Sequence, residues 1–167
     1  MRKLGRPTDQ RMAMLKGQVT DLLWYGRIET TETRGKEVAR LAEKVLTLAI
    51  NSYEDTVKVQ KNCKNAKGEV EVREFVNDGP KKLSARRRIM ASVYDIKEKK
   101  EYGESKKAYK GRTRDIKHPL IEKIFNEYAP KYAARNEQNG IGGGYTRMMK
   151  LGVRRGDDAE VVVLELI

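Results

Sequence analysis

The chain has 167 residues, 36 Lys plus Arg against 24 Asp plus Glu, a formal net charge of +12 and a pI near 9.7. That length suits one domain with an insertion, and a hydrophobic share of 38% predicts a real but modest core. A single cysteine, Cys63, excludes an internal disulfide framework and a cysteine-based metal cluster, and no apolar run approaches the roughly 18 residues of a membrane-spanning helix.

The N-terminal residues Met1 to Gln10 carry Arg2, Lys3 and Arg6 beside Gly5 and Pro7, and read as an extended basic arm, disordered before it meets a partner because it has little to bury. With no apolar stretch behind its basic residues it does not read as a secretory signal, so the cytoplasm is expected. Met12, Leu15, Val19, Leu22 and Leu23 recur at helical spacing, predicting a helix from about Thr8 to Tyr25 that ends at Gly26. Arg27 to Thr31 is a short strand candidate, and Thr31 can cap a second helix with Val38, Leu41, Ala42, Val45, Leu46 and Ala49 as its stripe. Arg34, Lys36, Arg40 and Lys44 dot the other faces of that helix.

The period then changes. Val57 and Val59, and again Val70 and Val72, alternate with polar residues around Asn62 to Gly68, which predicts a hairpin. Asn77-Asp78-Gly79-Pro80 breaks the chain. Ser84 is the expected cap of a third helix with Ile89, Met90, Val93 and Tyr94 on its apolar side. Residues 97–117, rich in Lys, Glu and Gly, read as a flexible loop or frayed helix extension. Pro119 opens a fourth helix carrying Ile121, Ile124, Phe125 and Tyr128, and Pro130 is expected to stop it. Asn136 to Gly144 is a loop before a terminal hairpin with the turn Gly152-Val153-Arg154-Arg155-Gly156, whose last strand is almost wholly apolar.

The sum is an α+β fold: one two-layer domain over 1–167, about four helices on a small mixed sheet with a C-terminal hairpin. An inserted hairpin at 51–82 and a loop at 97–117 look like additions.

No catalytic set emerges. His118 is the only histidine and has no second ligand type nearby; it reads as a solvated loop residue. Cys63 sits in a predicted loop and reads as inert. Gly140, Gly142, Gly143 and Gly144 lack the Gly-Lys-Ser/Thr ending of a phosphate loop. Asp157, Asp158 and Glu160 are carboxylates for a rival metal-assisted nuclease, but Arg154 and Arg155 beside them favour turn formation and pairing. No metal, cofactor or small-molecule substrate is implied.

What remains is basic. Residues 1–50 hold 10 basic and 6 acidic residues, 51–118 hold 19 and 11, and 119–167 hold 7 and 7. The candidate binding residues are Arg2, Lys3, Arg6, Arg11 and Lys16; Arg86, Arg87 and Arg88; and Arg147, Lys150, Arg154 and Arg155. Arginine pairs phosphate with two donors, and basic arms bind nucleic acid by releasing counterions. On the hairpin tip the polyanion reading and a solvated basic turn stand level. Trp24 and Tyr25 stack on bases or are buried beside Gly26. Without an aromatic platform in the pattern, the residues favour backbone and shape recognition of folded RNA, with an architectural DNA-binding protein as the alternative.

Several stretches, in order from end to end, carry a family resemblance. They are Met1-Arg2-Lys3-Leu4-Gly5-Arg6, Ala13-Met14-Leu15, Arg27-Ile28-Glu29-Thr30-Thr31, Lys36-Glu37-Val38, Ala42-Glu43-Lys44, Ala85-Arg86-Arg87-Arg88, Ile124-Phe125 through Ala129-Pro130-Lys131-Tyr132-Ala133, Gly143-Gly144-Tyr145-Thr146-Arg147, Lys150-Leu151-Gly152, Arg154-Arg155-Gly156-Asp157 and Ala159-Glu160. Together they resemble the bacterial large-subunit ribosomal protein seventeen family. The resemblance implies an α/β two-layer fold, a structural and non-enzymatic role in the large ribosomal subunit, binding to large-subunit ribosomal RNA, neighbouring ribosomal proteins as partners, and residence on cytoplasmic ribosomes. The region from about 51 to 118 is longer than in compact members, so its contacts are not implied.

Overall fold

The computed structural model describes residues 2–64, 70–114 and 116–167. Helix α1 (Thr8–Tyr25) buries Leu15, Val19, Leu22 and Leu23 and ends where Gly26 takes a φ of 81°, its N–H donating to the Leu22 carbonyl at 2.9 Å. That left-handed backbone suits glycine. Met12, expected on the buried stripe, is 42% exposed. Strand β1 (Arg27–Thr31) leads into α2 (Glu32–Ile50), which buries Val38, Ala42, Val45, Leu46 and Ala49. Thr31 stands at the N-cap of α2 without a side-chain cap hydrogen bond.

A hairpin projects next, β2 (Thr56–Lys64) against β3 (Val70–Asp78), paired from Thr56↔Asp78 to Lys64↔Val70. Its expected turn, Asn62 to Gly68, lies mostly outside the described residues. Helix α3 (Pro80–Ser92) starts at Pro80 rather than at Ser84. The cap comes from far away: the Asp55 carboxylate accepts the N–H groups of Lys81 at 2.7 Å and Lys82 at 3.2 Å. A Cβ on Gly79 would stand 2.4 Å from that carboxylate, so only glycine lets Asp55 in. Sequence proximity pointed to Ser84, whereas the donors a helix start leaves open are met by any oxygen the fold supplies.

The segment expected to be a loop holds a short helix, α4 (Lys106–Thr113), in which Ser105 Oγ accepts the Ala108 N–H at 3.1 Å. Helix α5 (Pro119–Lys123) continues through a π turn (Ile124–Tyr128) into α6 (Ala129–Asn139). Pro130 therefore does not stop the helix. The wider turn, with Ala129 N–H donating to the Ile124 carbonyl, makes room for a residue that has no N–H and clashes with a tighter register.

Strands β4 (Thr146–Val153) and β5 (Glu160–Leu166) close the chain. The main sheet runs β1-β5-β4, antiparallel at both joints, not mixed. The short β4–β5 connection rules out a parallel pair there, and β1 pairs antiparallel with β5 across the length of the chain. Helices cover one face, onto which Val162 and Leu164 point. Gly35 of α2 lies so close that a Cβ there would meet Met148 Cε at 3.0 Å and Val162 Cγ2 at 3.1 Å. The core joins α1, α2, α3, the 119–139 rod and β5, with Tyr132 fully buried and its ring 4.9 Å from that of Tyr145. The α+β, helix-on-sheet expectation holds. No helix among the described residues is long and apolar enough to cross a membrane.

Candidate nucleic-acid interface

The arm is not extended. Lys3 to Arg6 form a tight turn, with Arg6 N–H donating to the Lys3 carbonyl at 3.2 Å and positive φ at Leu4 and Gly5. Leu4 packs on the core, and the Arg2 N–H donates to the buried Glu37 carboxylate at 3.3 Å. The helix already begins at Thr8. This folding back leaves the side chains of Arg2, Lys3 and Arg6 exposed, with no ion pair among the described residues.

Shallow grooves carry the charge onward. Arg2 shares one with Lys36, Arg40 and Met148; Arg40 lines a second with Lys44 and Leu48; Leu48 lines a third with Lys81, Ser84 and Arg88. Lys36, Arg40 and Lys44 stand at i, i+4 and i+8 on α2, one exposed edge about 12 Å long at 1.5 Å per residue. The acids beside them are occupied. Glu37 is only 4% exposed and holds the arm; Glu43 accepts the Thr146 hydroxyl at 3.0 Å; Glu32 pairs with Lys36 at 2.8 Å, which holds its carboxyl down to about 2. Basic side chains thus recur in a band from the arm along α2 to α3, with Lys36 paired to Glu32 and Arg40 3.9 Å from Glu37.

Three residues of this band, Lys36, Arg40 and Lys44, were outside the candidate set. Their four-residue spacing was readable; the glutamates between them disguised it as an ordinary solvated face.

The other candidates divide. Arg87 and Arg88 are exposed on α3. Arg86 is not available: its Nε donates to Asp78 at 2.6 Å, Nη1 to Glu122 at 2.5 Å, and its guanidinium covers the Phe125 ring at 5.1 Å. It ties the hairpin root to α3 and α5. Arg11 is half-buried beside the Thr8 hydroxyl, and Lys16 sits 4.7 Å from the Tyr94 ring centre. On the terminal hairpin, Arg154 clasps Asp157 with two hydrogen bonds at 2.8 and 2.6 Å, holding that carboxyl down to about 2. Lys150 is pinned between Glu160 at 3.0 Å and Glu32 at 3.6 Å, and Arg147 lies 3.7 Å from Glu165. Arg155 alone on that tip stays exposed without an ion pair among the described residues. Arg147 also alternates with Met148 along β4 and so faces away from the α2 band.

Two aromatic alternatives resolve differently. Trp24 is half-buried with Lys123 Nζ 5.7 Å from its ring centre, while Tyr25 is 59% exposed. His118 is not merely solvated: Nδ1 lies 3.2 Å from Asp95 Oδ1. Among the described residues no three of His, Cys, Asp or Glu gather closely enough to hold a metal ion.

The family model described as ribosomal protein L17 matches residues 14–167. The chain belongs to this family. It is 40% identical to the large ribosomal subunit protein bL17 of Clostridium perfringens, covering 99% of this chain and 96% of the relative. Against bL17 of Lachnospira eligens the identity is 39%, and against that of Acetivibrio thermocellus 35%, each with 99% of this chain and 98% of the relative covered. The L17 match includes α2 and α3, which carry most of the band, and both terminal strands, while the arm lies before it.

Proposed function

We propose that this chain is a non-enzymatic structural component of the large ribosomal subunit, and that it binds large-subunit ribosomal RNA through the arm–α2–α3 band. The observation that carries this is the band itself, in which acids are turned inward or paired while Arg2, Arg40, Lys44 and Arg88 face solvent. Membership of the L17 family, and relatives named as large-subunit proteins, supply the subunit. A basic surface carrying only shallow grooves fits phosphate and shape recognition. On this reading its partners are ribosomal RNA and adjacent large-subunit proteins, on cytoplasmic ribosomes; membranes and small-molecule substrates have no part.

Replacing Arg2, Lys3 and Arg6 by Ala is expected to lower the slope of log K against log salt by roughly 0.7–0.9 for each phosphate the arm no longer neutralises, and to reduce co-sedimentation with large subunits in a sucrose gradient. An unchanged slope with unchanged incorporation would remove the arm from the interface. Migration with chromosomal DNA would favour the architectural alternative.

A further inference from the structure

Residues 97–114 form a second exposed cationic element, separate from the α2 band and outside the candidate residues. Its order comes from within. Arg112 hydrogen-bonds Glu98 through Nη1 and Glu104 through Nε at 3.3 Å, and its guanidinium lies 5.8 Å from the Tyr109 ring centre. The Tyr109 hydroxyl donates to the Glu98 carbonyl at 2.8 Å. These contacts close the segment on itself and spend two of its acids; among the described residues only Glu101 keeps an unpaired carboxylate. Lys99, Lys100, Lys106, Lys107 and Lys110 are left exposed, with no ion pair among the described residues.

At the tip stands a tyrosine that nothing covers. Glu101 to Glu104 make a turn in which Glu104 N–H donates to the Glu101 carbonyl at 3.1 Å and Gly103 has a φ of 80°, the positive value a type II turn requires at its third position. The Glu104 carboxylate also accepts the Glu101 N–H at 3.1 Å and is itself held by Arg112, so the turn is locked to the brace. Tyr102 occupies the second turn position and is fully exposed, 108% against its reference. A ring left wholly in water on a locked turn, with exposed Lys99, Lys100, Lys106 and Lys107 on either side of it in sequence, has the composition of a base-stacking site: an aromatic plane for one base and ammonium groups for the flanking phosphates.

We infer that residues 97–114 bind an unpaired nucleotide of structured RNA, with Tyr102 stacking on its base and the lysines of the turn and α4 neutralising the adjacent phosphates. This rests on the RNA-binding reading above and extends it from phosphate tracking to contact with a splayed-out base. The element lies apart from the grooves of α2: Glu98 lines a different depression with Trp24, Pro119 and Lys123. The two surfaces therefore fail independently.

The test uses the full chain and protein-free large-subunit ribosomal RNA, with affinity measured across a salt series. Tyr102→Ala is expected to weaken binding about 5- to 100-fold with the salt slope unchanged, since stacking releases no counterions. Tyr102→Phe keeps the ring and should stay within about twofold of wild type. Changing Lys106, Lys107 and Lys110 together to Gln should lower the slope by about 2 to 3. Wild-type affinity in Tyr102→Ala, or equal losses in the Ala and Phe variants, overturns the stacking site while the RNA reading stands. Wild type that binds no RNA, with Lys36, Arg40 and Lys44 replaced by Gln making no difference, overturns both. Circular dichroism of each variant checks that the fold is kept.

Discussion

The β2–β3 hairpin and the 97–114 segment flank α3 in the chain and are built to opposite plans. Residues 56–78 hold 5 basic and 4 acidic side chains, net +1, whereas residues 97–114 hold 8 and 3, net +5. The hairpin pairs its charges across strands, Lys58 with Glu74 at 3.6 Å, and exposes Val57, Val70, Val72, Phe75 and Val76. The segment spends two of its three acids on one arginine and exposes lysines. The hairpin is stiffened at its root by the surrounding fold; the segment is stiffened by itself. Averaged together as one basic middle, they hide that most of the excess positive charge lies in one of the two.

The largest effect expected from breaking this contrast is at the root. Arg86→Ala leaves Asp78 and Glu122 without their cation in a half-buried site. Loss of one partner from a fully buried pair costs about 3–5 kcal/mol; partial exposure brings this to about 2–3 kcal/mol, read as a lower urea midpoint. Asp55→Ala removes the remote cap of α3 and should cost about 1 kcal/mol, with faster amide exchange at Lys81 and Lys82; unchanged exchange would mean that water caps the helix equally well. The smallest effect is at the brace. Arg112→Ala should shift global stability by less than about 0.5 kcal/mol because its pairs are exposed, yet raise amide exchange through α4. A global loss as large as that of Arg86→Ala would show that the segment is part of the core and not a self-braced addition.

Much of the body was readable because burial leaves a period. The stripe Val38–Ala42–Val45–Leu46–Ala49 lies where the pattern put it, while of the apolar run of β5 only Val162 and Leu164 are buried, because a strand turns alternate side chains to opposite faces. What escaped depends on partners distant in sequence. Nothing near Gly79 announces that Asp55 will cap α3, and the Arg86-Arg87-Arg88 run does not say which of three identical side chains will find Asp78 and Glu122. Helix α4 buries no residue, so it carries no apolar period to read; its capping serine and ion pairs are the substitute. Pro130 misled because the rule against interior prolines holds for an α register, and the chain changes register just before it. Of the candidate interface, the arm and Arg88 were legible as charge, while the Lys36–Arg40–Lys44 edge needed the fold to show that the glutamates between them are turned inward or paired.

The order β1-β5-β4 has a consequence for how the molecule comes into being. Arg27 must wait for Glu165 before β1 has any partner, because the middle strand is made after every other described element. During vectorial synthesis α1 and α2 emerge early and can form locally, but the sheet beneath them cannot close until residues 160–166 have left the tunnel. Pairings this distant in sequence are slow to form. For that interval the nascent chain has its basic helices and no floor beneath them, and Val162 and Leu164 are missing from the core those helices share.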